Sequence, residues 1–241
     1  MIYTRPFITT KFIGYTGDSR TREVSLAVRV IDAFTEEPPN VTLSVKLKEL
    51  PDARTLKGQR GFYCFDGRET VRIEGTTITR TTIPNGNYTL VIQPDPISGN
   101  QFFLQPRLVG QPWTSSFERP VVLPMPNPLN PLEVVTFAPT PAYPFPANAT
   151  LVRGTVLQAG AGAPDVVVTT TYDEVDPLDP SLTISKIIET LTDRVGEFVL
   201  FFKRLPLNTQ PITVSVRGTA VQIPVVITEG TTLKNQVLNL P

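Results

Sequence analysis

Apolar and polar residues alternate with a period of two over several short stretches of this chain. From Val24 to Ile31, Val24, Leu26, Val28 and Val30 fall on one side and Ser25, Ala27 and Arg29 on the other. That spacing predicts a half-buried strand. Val41 to Leu47 repeats it, with Val41, Leu43, Val45 and Leu47 inward. Between them Glu36-Glu37-Pro38-Pro39-Asn40 reads as a turn. Gly61 to Phe65 predicts a third strand, and Val71 to Ile83 a threonine-rich fourth region. Asn85-Gly86 is a hairpin signal before a strand over Tyr88 to Ile92. Phe102–Leu104 and Val121–Leu123 predict edge or closing strands in a stretch where prolines recur.

The second half predicts strands over Leu151–Leu157, Asp165–Tyr172, Glu197–Lys203, Ile212–Val216, Val221–Ile227 and Leu233–Leu240. Lys186–Thr192 reads as a strand or a short helix, and Asp173 to Pro180 as an acidic loop broken by prolines. The order of events repeats between the halves. Val24–Asp32 corresponds to Leu151–Leu157, and Val41–Leu47 to Asp165–Thr171. Gly61–Phe65 corresponds to Gly196–Phe202, and Tyr88–Ile92 to Ile212–Val216. The expected architecture is all-β: two tandem β-sandwiches joined by a proline-rich linker. The expected organisation is an N-terminal arm over residues 1–22, a first β-sandwich over 23–139, a stiff extended linker over 140–149 and a second β-sandwich over 150–241.

Composition narrows the function. The 241 residues include 25 prolines, one cysteine and no histidine, so histidine-based relays and histidine-ligated metals are excluded. Lys plus Arg equals Asp plus Glu at 22 each, which leaves no global basic field for nucleic acid. The lone Cys64 lies in an apolar run and reads as a buried thiol. No stretch is long and apolar enough for a membrane span, and the N-terminus lacks the apolar core of a signal peptide. The expectation is a protein kept in the cytoplasm, or part of a particle assembled there, without membrane insertion and without a cofactor.

A resemblance sharpens this. Arg153-Gly154-Thr155-Val156, then Ala163-Pro164 before a valine-rich strand, then Thr192-Asp193 ahead of Gly196-Glu197-Phe198, resembles the carboxypeptidase regulatory-like domain. In the first half, Asp32 to Pro39, Gly61-Phe62 and Pro84 to Thr89 are similar to the same pattern, but Leu56-Lys57 stands where the family has Thr-Asp. The resemblance implies transthyretin-like, that is Ig-like, sandwiches acting as interaction modules. The run Phe137–Pro146 followed by Ala149–Gly154, in a two-domain chain, is similar to small proteins of phage-tail-like contractile injection systems. That implies a non-enzymatic structural or adaptor protein. Its partners would be other protein subunits of a large complex, or further copies of itself.

Candidate sites are few. Asp173, Asp176 and Asp179 could offer oxygens to calcium, but the loop lacks the glycine and terminal glutamate of an EF-hand. Phe7, Phe12 and Tyr15 in the arm, Trp113 in the proline-rich stretch, and Tyr143 and Phe145 in the linker are the candidate interaction residues. Trp113, Tyr143 and Phe145 also support an alternative reading, a carbohydrate- or surface-binding module. Arg68, Arg72 and Arg80 share a segment with Glu69 and Glu74 and read as a mixed solvated strand. No motif supports catalysis.

Overall fold

The structure is a computed structural model that describes residues 12–13, 19–58, 61–73, 75–94, 103–107, 118–123, 125 and 131–241. Among these residues there is no helix, and so none that is long and apolar enough to cross a membrane. The chain divides into two compact units, one of residues 1–100 and Gln105–Phe137 and one of Gln101–Leu104 and Ala138–Pro241.

The strands before the second unit are β1 (Phe12–Ile13), β2 (Ser19–Asp32), β3 (Leu43–Leu47), β4 (Thr55–Lys57), β5 (Phe62–Ile73), β6 (Thr76–Thr81), β7 (Gly86–Pro94), β8 (Phe103–Arg107), β9 (Glu118–Leu123) and β10 (Leu132–Pro139). One sheet has the order β4-β5-β2-β10-β8, with β1 on β2 and β6 on β5. The other has the order β3-β7-β9. Alternation decides which face each sheet buries. Leu43, Val45 and Leu47 of β3 are buried while Ser44 and Lys46 are exposed. Tyr63 and Phe65 of β5, Leu90 and Ile92 of β7, and Val121 and Leu123 of β9 are likewise buried. In β2, Leu26, Val28 and Val30 are buried as the alternation predicts, and Ala27 is buried too.

The second unit holds β11 (Thr150–Gln158), β12 (Ala161–Gly162), β13 (Val167–Val175), β14 (Thr183–Leu191), β15 (Glu197–Phe202), β16 (Thr209–Val216), β17 (Gln222–Thr228) and β18 (Thr232–Leu240). It is a β-sandwich. One sheet has β12-β11-β15 with β18 on β11, and the other has β14-β13-β16-β17. Its core takes Val152 and Val156 from β11, Phe198, Leu200 and Phe202 from β15, and Leu238 from β18. From the other sheet come Val168, Tyr172, Ile212, Val214, Val225 and Ile227. Burying this set against water is the main driving force for the unit.

The repeat seen in the sequence is a repeat of pairing. β2 pairs antiparallel with β5, as β11 does with β15. β3 pairs with β7 as β13 does with β16, and β7 with β9 as β16 does with β17. β2 pairs in parallel with β10, as β11 does with β18.

The Thr192–Phe198 motif shows why such residues recur at a hairpin. The Asp193 carboxylate accepts from the backbone N–H of Val195 at 3.0 Å and of Glu197 at 2.9 Å. Thr192 Oγ1 donates to the Ala163 carbonyl at 2.6 Å and accepts from Val166 N at 2.9 Å. Gly196 has φ +80°, and a Cβ there would meet the Val156 carbonyl at 2.6 Å. Only glycine fits both demands. Gly154 is held by close approach instead. A Cβ there would run into the Gln236 carbonyl and the Phe198 ring.

Several expectations are corrected. Ser19 to Arg22, expected in the arm, lie in β2 and pair with β5. Asp173 to Val175, expected in a loop, continue β13. Of the two alternatives for Lys186–Thr192 the strand is the one found, as part of β14. The linker is not extended. It turns repeatedly, with Tyr143 N donating to Thr140 O at 3.0 Å, Phe145 N to Tyr143 O at 2.9 Å and Ala149 N to Pro146 O at 3.0 Å.

Candidate interaction surfaces

The acidic segment does not gather its carboxylates. Asp173 lies in β13 opposite Ser185. Asp176 Oδ1 accepts from Leu178 N at 2.8 Å, and Asp179 Oδ1 from Ser181 N at 3.0 Å and Ser181 Oγ at 2.7 Å. These bonds hold the Asp179 carboxyl below its ordinary value. Both side chains stabilise local turns. Among the described residues no group of three or more Cys, Asp or Glu is placed to hold a metal ion.

Glu174, which the sequence reading passed over, is the buried charge here. Its side chain is 1% exposed. It accepts from Tyr172 OH at 2.7 Å, pairs with Lys186 Nζ at 2.8 Å and pairs with Arg204. Burial pushes the carboxyl up, but the Lys186 and Tyr172 hydrogen bonds and the two cations outweigh it and hold it below 4.5. Burial, with the Glu174 hydrogen bond, raises the Tyr172 hydroxyl. The cluster joins β13, β14 and the turn after β15, which makes it a brace.

Tyr143 and Phe145 are turned onto their own unit. Their ring centroids are 4.7 Å apart, Phe145 lies 6.5 Å from Phe201, and the Arg153 guanidinium sits 5.5 Å above the Phe145 ring. Arg153 Nη1 also donates to Pro141 O at 2.7 Å. Phe12 has its backbone in β1, opposite Arg20. Phe7, Tyr15 and Trp113 lie outside the described residues. Cys64 is half-buried in β5, and burial together with the Asp66 charge pushes its thiol up. A thiol so placed is not activated.

The strand edges differ in how they are guarded. Proline, lysine, shortness and bulges keep an edge from pairing with another chain. β8 carries Pro106, β9 Pro120 and β17 Pro224; β3 carries Lys46 and β14 Lys186; β4 has three residues. β18 carries Lys234 and breaks register at Asn235, whose φ is 60°. β6 has no proline, lysine or register break, and its one charge is Arg80; β15 also lacks proline and lysine, but four of its six side chains are buried. β6 reads Thr-Thr-Ile-Thr-Arg-Thr, and its register with β5 runs without a break from Thr76 to Thr81. All six of its side chains are exposed.

The register defines the two faces of the ribbon made by β2, β5 and β6. Arg20, Val71 and Ile78 stand in one row and Arg22, Glu69 and Arg80 in the next, with Ile73 beside Thr76. On the opposite face Thr21, Thr70 and Thr79 align, flanked by Glu23, Arg68 and Thr81 and by Arg72 and Thr77. The arginines grouped by sequence are thus divided: Arg80 lies on the first face, Arg68 and Arg72 on the second. Arg20 and Arg22 both pair with Glu69, the latter at 3.1 Å, and hold its carboxyl below the ordinary value. Ile73 and Ile78 are 48% and 59% exposed, although both are large and apolar.

No family model matches the chain, and no curated protein matches it. The carboxypeptidase regulatory-like and contractile-particle resemblances therefore gain no support there. Solved structures to which it is similar include an ancillary pilin of Streptococcus, 11% identical with a TM-score of 0.25, covering 95% of this chain and 64% of that one. The minor pilin GBS52 of Streptococcus agalactiae is 11% identical with a TM-score of 0.25, covering 90% and 97%. The Bacillus anthracis TIE protein is 10% identical with a TM-score of 0.24, covering 90% and 34%. The chain thus spans less than two thirds of the first and third of these, and likenesses of this size say nothing of what it does.

Proposed function

We propose that this chain is a non-enzymatic structural or adaptor subunit that docks on other proteins of a larger assembly through an exposed strand edge. One observation carries the reading: β6 is a six-residue end strand with every side chain exposed and neither proline, lysine nor register break along it. A naked edge of this kind offers a row of backbone donors and acceptors to another chain. The β2–β5–β6 ribbon adds exposed Ile73 and Ile78 beside arginines, the mixture found at docking surfaces. Threonine and isoleucine suit the strand, so the ribbon stands ready-made.

In its finer form the proposal makes the assembly a contractile injection particle put together in the cytoplasm, with the arm as a second contact. The tandem organisation of the chain supports that form. For the carbohydrate-binding alternative, Tyr143 and Phe145 are engaged within their own unit, and Trp113 lies outside the described residues.

Sedimentation of lysate from the native source tests the reading. The chain is expected to travel with large material and to stay there in moderate salt. Recovery at the top of the gradient as a free single chain would refute it.

A further inference from the structure

We infer that β6 accepts an extended, acidic-and-apolar strand from a partner protein, which adds to the free edge of the ribbon. The inference rests on the docking role proposed above and names the class of partner.

Three features point to this occupant. First, the unguarded edge fixes the mode. A new strand pairs with Thr76–Thr81 through backbone hydrogen bonds, and its alternate residues fall on the two faces of the ribbon. Second, the first face fixes the side chains. A residue opposite Ile78 meets an exposed apolar surface that continues to Val71 and Ile73, so an apolar residue fits there. Two residues along, the position opposite Arg80 meets a row holding Arg22 and Arg80 around the single Glu69, so a carboxylate fits there. Third, charge excludes the obvious rival. The paired part of the ribbon, Ser19–Val24, Asp66–Ile73 and Thr76–Thr81, carries Arg20, Arg22, Arg68, Arg72 and Arg80 against Glu23, Asp66 and Glu69, with Arg22 also 3.5 Å from Asp66, in a chain with 22 charges of each sign. A second copy would bring two arginine-rich ribbons side by side, and like charges across a strand pair are unfavourable. An acidic strand is complementary instead.

The test uses the whole chain. Random peptides of about ten residues, long enough to span an edge strand, are selected on the immobilised wild-type protein. The enriched pool is expected to alternate apolar with acidic residues. A fluorescent member of that pool should bind Arg80→Glu about tenfold more weakly or worse, and should weaken as salt rises. Ile78→Lys should weaken it as well. Arg80 and Ile78 are exposed, so unchanged melting of both variants shows that the fold is intact. Failure to enrich any peptide, enrichment without an acidic bias, or equal binding by wild type and Arg80→Glu would overturn the inference. So would a dimer of the wild-type chain that Arg80→Glu leaves intact or tightens. Sedimentation of Arg80→Glu separates the two levels of the argument. If wild type travels with large material and the variant does too, the acidic-strand inference fails while the docking role stands. If wild type itself stays free, the docking role fails.

Discussion

The two units share one pairing plan and differ in what is inserted into it. In the second unit the strand between the second and third repeats is β14, which extends the sheet of β13 through nine paired residues. In the first unit the strand at that place in the chain is β4. It is three residues long and joins β5 in the other sheet. The first unit then lengthens β5 to twelve residues and folds it back as β6. The lesson lies in where charge goes. The long hairpin of the second unit is locked to its sandwich by the buried Glu174 cluster. The long hairpin of the first unit keeps Ile73, Ile78 and Arg80 at the surface. Equivalent frames thus carry one insertion that braces the fold and one that faces outward.

The largest effect that would sharpen this comparison is Phe198→Ala, which empties the centre of the second core. It is expected to cost that unit about 3–5 kcal/mol. Denaturant unfolding followed by hydrogen exchange should show the loss confined to residues 150–241, and loss of protection in both units together would break the comparison. Glu174→Gln comes next. It leaves Lys186 and Arg204 without their buried counterion and is expected to cost about 2–3 kcal/mol. The folded carboxyl lies below its ordinary 4.5. The wild-type stabilisation is therefore complete above that value and is lost as pH falls below it. Acid titration of stability should show a limb below about pH 4.5 that Glu174→Gln flattens. Gly196→Ala follows, at about 1–2 kcal/mol, because it forces alanine into a left-handed turn against the Val156 carbonyl. Ile78→Thr should be the smallest, within about 0.5 kcal/mol, since the side chain has no core to leave. A loss of several kcal/mol there would mean that the ribbon is part of the core.

Much of this plan was legible in the sequence, and the gaps have physical causes. The alternating strands β2, β3 and β7 announced themselves because each sets a row of large apolar residues against a row of smaller or polar ones, fully exposed in β3 and half-buried around Ala27 in β2. β10 did not. Leu132 to Pro139 lies between prolines, and its pairing with β2 is parallel and well buried, so its Val-Val-Thr-Phe run carries no clean alternation. β5 was cut short at Phe65 because Asp66-Gly67-Arg68-Glu69 has turn-like composition. The strand continues through it because Arg22 and Arg20 on the neighbouring strand neutralise Glu69. Glu174 misled in the same way, since a carboxylate is compatible with a buried strand only when its counterions, here Lys186 and Arg204, twelve and thirty residues further along the chain, arrive to meet it. Arg68, Arg72 and Arg80 were seen but not resolved. Only the register assigns Arg80 to the face of Ile78 and the others to the reverse.

The central claim is that the outward-facing hairpin is where this chain meets its neighbours. Hydrogen–deuterium exchange of the free chain against the same chain within its sedimenting assembly tests it most directly. The account predicts that the outward-facing amides of Thr76 to Thr81, those not bonded to β5, exchange freely in the first state and gain protection in the second, while those of β17 change little. Protection gained elsewhere, with Thr76 to Thr81 exchanging as fast as before, would contradict it.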